Sequence, residues 1–173
     1  RGENTDMAIR HYLIKQDTEI RKAAFPAIDA HNHLWGNWQV DRIVQTMDEV
    51  GVDSYCDLTG NVRIEFSGGG YSINPGNITD FMENCSRKYP GRFYCFTMAN
   101  FARPSSKPLF EDPGRFVEEF IETLHDHVRQ GAKGLKILKE LGLHYRDGRG
   151  DLINCDDERL FPVWEEAAKL HIP

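Results

Sequence analysis

The 173 residues carry a net charge of −6, with 40% of them apolar and 28% charged, the profile of one soluble globular domain with a sizeable core. The acidic balance argues against nucleic acid or an anionic membrane as a partner, and no apolar run approaches a membrane span. No signal peptide stands at the start, which is Arg1 rather than Met, so a cytoplasmic chain and an exported one that has lost its leader both fit.

Residues 1 to 24 are polar and read as an arm or short helix leading into a domain over 25 to 173. Phe25 to Leu34 reads as a strand ending in polar residues. Val40, Ile43, Val44, Met47 and Val50 then recur at the helical period, and Gly51 stands where a helix C-terminal glycine belongs. Val52 to Leu58 is a second strand. Residues 61 to 76 hold three consecutive glycines, Gly68 to Gly70, and read as a flexible connection or a mobile flap over a site. They are no phosphate loop, since no Gly-Lys-Ser/Thr follows. Asn77 to Lys88 reads as a helix and Arg92 to Asn100 as a third strand. Residues 102 to 114 form a Pro-containing loop. Phe116, Val117, Phe120, Ile121, Leu124 and Val128 mark a strong amphipathic helix closed by Gly131. Lys133 to Lys139 is a fourth strand, followed by a long polar loop to about Asp156. Pro162 opens the next helix, and His171 to Pro173 resembles a turn into a fifth strand.

Four rounds of strand and helix mean a parallel sheet with helices outside it. An open doubly wound sheet and part of a (β/α)8 barrel are the competing architectures. A full barrel needs roughly 250 residues, so four units make half of one.

None of the four cysteines forms a C-x-x-C pair; Cys56 and Cys95 read as small strand residues, not disulfide or zinc ligands. The sequons at Asn77 and Asn84 fall at a helical stretch and read as chance matches.

His-x-His occurs twice, and the two copies differ. Residues two apart on a strand share a face, so His31 and His33 project together with Asp29 behind them, at the C-terminal strand end where parallel α/β folds place their sites. Paired neutral imidazoles suit zinc and its first-row neighbours. Residues two apart on a helix diverge by roughly 200°, so His125 and His127 read as solvated or helix-edge histidines. A catalytic zinc takes three protein ligands and an open position, so the remaining ligands come from elsewhere. His144 is a loop residue, a substrate contact or a ligand.

On the fourth strand, Leu135 and Ile137 share the helix-facing side and Lys136 points to the lumen. A buried lysine needs a partner or a function: a substrate carboxylate, a carbamylated metal bridge, or an ion pair with Asp53 or Asp57. Trp35 and Trp38 either wall a pocket or pack. Arg146 and Arg149 are solvated loop charges or anion contacts.

The stretch Phe25-Pro26-Ala27-Ile28-Asp29-Ala30-His31-Asn32-His33 resembles the opening strand of the amidohydrolase superfamily, and more narrowly its "amidohydrolase 2" branch, which includes aminocarboxymuconate-semialdehyde decarboxylase. Residues 131 to 150 and 157 to 165 resemble metal-dependent hydrolases of the same kind, in the same order. The resemblance implies a (β/α)8 barrel of which this chain is the N-terminal half. It implies a divalent metal, zinc or manganese, held by His31 and His33 together with a histidine on strand five or six and an aspartate on strand eight, which also handles the proton of the metal-bound water. It further implies hydrolysis of a small amide or ester, or decarboxylation of a small carboxylic acid, with Lys136, Trp35, His144 and Arg146 as candidate substrate contacts. A half barrel leaves open edges, so its expected partner is a second copy or a missing C-terminal half. The alternative function is a non-catalytic α/β binding module that retains the first strand.

Overall fold

The computed structural model describes residues 21–35, 39–104 and 108–173. Most of the expected N-terminal arm, residues 1 to 20, and Trp38 lie outside the described residues. Four parallel strands form a curled sheet in the order β1 (Ala27–Asn32), β2 (Val52–Asp57), β5 (Phe93–Thr97), β6 (Gly134–Leu135). Strand neighbours follow chain order, as in a partial α/β barrel, and a helix follows each strand on the outer side. Among the described residues no helix is long and apolar enough to cross a membrane.

Helix α1 (Val40–Val50) ends as the sequence indicates: Gly51 is left-handed, φ 81°, and its N–H bonds to the Met47 carbonyl at 2.9 Å. A short α2 (Ile78–Phe81) widens into a π-helical segment, Met82–Arg87. The Asn77 side chain accepts from the Thr79 N–H and caps it. Helix α3 (Pro113–Gln130) starts earlier than its apolar period, because Asp112 caps it through the Arg115 N–H and Pro113 pre-sets its first turn. Residues Glu140–Leu143 make a broken turn, α4, and Phe161–Lys169 form α5.

Two expectations fail. Residues 61 to 76 are not a loose connection but an antiparallel hairpin, β3 (Val62–Ser67) with β4 (Gly70–Pro75). Its loop is Gly68 and Gly69, both left-handed at φ 57° and 79°, the mirror-image turn that matches hairpin twist. Val62, Ile64 and Ile73 share one face and bury against the cluster of Phe101, Phe116 and Phe120. The fourth strand is shortened to Gly134–Leu135. It is extended on its outer edge by one bond, from the Leu135 N–H to the Pro173 carbonyl at 2.8 Å, where a turn into a further strand was expected.

The loop over 140 to 156 is also better ordered than its polarity implies. Tyr145 and Ile153 are core residues, and the Tyr145 hydroxyl donates to the carbonyls of Phe101 and Arg103. Asp147 is held low by the Arg159 guanidinium 3.0 Å away. All four cysteines are free thiols; burial pushes Cys85 up to about 12.

Candidate functional site

The site is built where β1 and β2 end. Leu34 buries in the cluster under α1 and α2, and its N–H donates to Asp57 Oδ2 at 2.6 Å. Asp57 Oδ1 accepts from the Thr59 N–H at 2.7 Å. One carboxylate, 1% exposed, therefore pins the two strand ends together. Burial pushes it up to about 6, against the pull of those two donors.

The pin places Thr59. Its Oγ1 accepts the Trp35 indole N–H at 3.0 Å and lies 2.9 Å from His33 Nδ1. His33 and Trp35 stack nearly parallel, at 4.5 Å between centroids. His31 stands edge-on to His33, at 5.6 Å and 86°. The His33 pKa is lowered, first by burial and then by the positive charge of His31 and Lys136. A neutral imidazole with Nδ1 engaged presents Nε2 for another partner.

Asp29 is not behind the histidines. The pairing of β1 with β2 slips between Asp29 and Asn32, so that Asp29 lies opposite Tyr55 and Asn32 opposite Asp57. Asp29 accepts from the Asn32 amide at 2.7 Å, and both line a groove against α1. The two-residue alternation that groups Asp29 with His31 breaks at this extra residue.

The expected site residues are only partly brought together. Trp35 and Lys136 join the histidines. Lys136 makes no ion pair with Asp53 or Asp57; among the described residues its side chain has no hydrogen-bond or ion-pair partner, and its charge is felt at His33. His144 is exposed at the end of α4, and no contact brings it to the histidines. Arg146 is exposed and donates to the Gly150 carbonyl of its own loop at 3.0 Å. Arg149 is likewise exposed. His125 and His127 diverge as expected, but they are not merely solvated: His125 reaches Glu166 on α5 at 2.8 Å, and His127 reaches Thr97 on β5 at 2.6 Å.

Sequence reasoning missed Asp57 as the pin, Thr59, and the aromatic tip of the hairpin. Trp35 faces Phe66 at 6.2 Å, and Phe66 faces Tyr71 at 6.5 Å. Tyr71 donates to Glu140 Oε1 at 2.7 Å, just past the end of β6. The signal was present in the alternation Val62, Ile64, Phe66 before a Gly-Gly turn.

Toward a divalent ion, His31 and His33 offer two imidazoles side by side, 5.6 Å between ring centroids. Among the described residues, no group of three or more His, Cys, Asp or Glu side chains gathers to hold an ion. In comparison with known proteins, no family model, curated protein or solved structure matches the chain.

Proposed function

We propose that this chain contributes the first-strand half of a metal-dependent enzyme of the amidohydrolase type, built as the N-terminal half of a (β/α)8 barrel. One observation carries the reading: His33 is oriented by Thr59 and kept neutral beside His31, at the C-terminal end of a parallel sheet. The sequential strand order supports the barrel.

His31 and His33 would hold the ion, zinc first and manganese second, with the other positions filled from outside the described residues or by water. The ion, when bound, supplies Lewis-acid polarisation and a nucleophile at neutral pH. Thr59 fixes the His33 ring, and Trp35 covers its face and excludes water there. Lys136, without an ion-pair partner among the described residues, would offer its charge to a carboxylate, which suits a small carboxylic acid as substrate, or the carboxylate of a small amide or ester. That arrangement is compatible with decarboxylation and with hydrolysis.

Calorimetric titration of the full chain with zinc tests this. The wild type is expected to bind, and the His31→Ala, His33→Ala double variant to lose at least a hundredfold in affinity. Stoichiometric zinc retained by the double variant would sink the assignment. A wild type that takes no zinc would instead favour a non-catalytic α/β binding module.

A further inference from the structure

The β3–β4 hairpin lies across the C-terminal ends of the sheet. Its base is anchored: Val62, Ile64 and Ile73 are core residues. Its tip is not. Phe66, at 68%, and Tyr71 are exposed, and a β-carbon added at Gly68 or Gly69 would meet open space. Among the described residues the tip touches the strand ends on two sides. On the β1 side, Phe66 faces the Trp35 ring that stacks on His33. On the β6 side, Tyr71 bonds to Glu140 and stands 5.3 Å beneath the Lys139 ammonium.

Glu140 is an unusual anchor. It is 4% exposed and accepts one hydrogen bond at Oε1, while its Oε2 is buried with no partner among the described residues. A carboxylate oxygen kept dry and unpaired is costly. That cost is relieved when the tip lifts and water reaches Glu140. The seated tip therefore combines one strong bond with one uncompensated group, the energetics of a contact that can release.

We propose that Tyr71 and Glu140 are positioning residues: their hydrogen bond is a latch that seats the hairpin tip, and the seated tip presses Phe66 against Trp35 and so fixes the wall beside His33. The hairpin is then a hinged cover whose base stays packed while its tip opens. This rests on His31 and His33 as the site for its purpose, though not for its physics.

Amide hydrogen exchange and the indole N–H resonance of Trp35 test the latch in the full chain. Trp35→Phe assigns the resonance by its loss. Tyr71→Phe removes the hydroxyl that bonds to Glu140 and also interacts with Lys139, and keeps the ring over which Lys139 sits. It is expected to speed exchange in β3 and β4 near the tip about tenfold, to shift the Trp35 indole signal, and to leave the global thermal midpoint in place. Glu140→Gln retains an acceptor oxygen and should change both readouts less than Tyr71→Phe does. Tyr71→Phe with unchanged tip exchange and an unmoved Trp35 signal overturns the proposal. So does faster exchange with a fixed Trp35 signal, since a merely structural bond would loosen the tip without reaching β1. Neither readout needs a metal, so a chain that binds no zinc can still confirm the latch, and a zinc-binding chain can still refute it.

Discussion

At the scale of single residues, Thr59 is the joint on which the site turns, because one hydroxyl serves both His33 and Trp35. Thr59→Val is expected to weaken zinc binding roughly 10–100-fold, by freeing the ring its partner orients. It also strands the Trp35 indole donor, at a cost of about 1–3 kcal/mol, readable in denaturant unfolding. Asp57 makes a pH signature. Its carboxyl titrates at about 6 when folded and at the ordinary 3.8 when unfolded. Between those values the folded state holds a proton that the unfolded state has released. Its contribution to stability is therefore present below pH 4 and lost as pH rises through 6, a penalty of roughly 3 kcal/mol at neutrality. Unfolding measured from pH 4 to 6 should show the wild type gaining on Asp57→Asn as the pH falls, with equal slopes counting against the assignment. His33 works in the opposite sense, since its lowered value withdraws stability as pH drops below 6.5. The juxtaposition of His31 and His33 was legible from their spacing at a strand end. Asp57 and Thr59 were not, since an Asp-Leu-Thr at a strand end has no spacing that marks it as a pin.

Among the elements, α1 and α3 were legible from apolar periodicity, and α5 from its proline. The hairpin was not, because three glycines in a row outweighed the alternation on either side of them. Those glycines are the turn chemistry, not an interruption of it. The fourth strand was read too long for a related reason: its apolar alternation continues past Leu135, but the backbone leaves the ladder after Lys136 bonds to Thr97. What remains of β6 depends on close approach. A β-carbon added at Gly134 would fall 2.5 Å from the Phe96 ring. Gly134→Ala should therefore lower stability by about 1–3 kcal/mol, as Phe96 is forced from its place beside β6. An unchanged denaturation midpoint would show that the ring has room to move.

For the molecule as a whole, parallel architecture and strand order were legible from the alternation of strand and helix. The sheet's boundaries were not, because an edge is defined by what lies beyond it. Among the described residues β1 is an edge strand, and Ile28 on it is 64% exposed, with Phe25 and Tyr94 also uncovered. An open strand flanked by apolar side chains recruits other strands. The isolated chain is expected to self-associate, giving a mass above one chain by light scattering at micromolar concentrations. A monodisperse monomer would count against the open half-barrel surface.

The slip in β1 gives the strand a parity of its own. A regular strand counts by twos, so Asp29, His31 and His33 would be locked to one side whatever chemistry required. One surplus residue between Asp29 and Asn32 breaks that count and lets a carboxylate and two imidazoles part company. Deleting Ala30 would even out the pairing between Asp29 and Asn32 while leaving Asp29 opposite Tyr55 and Asn32 opposite Asp57. Losing one residue there would shift the residues of the bulge relative to Asp29 while both flanking pairs keep their partners.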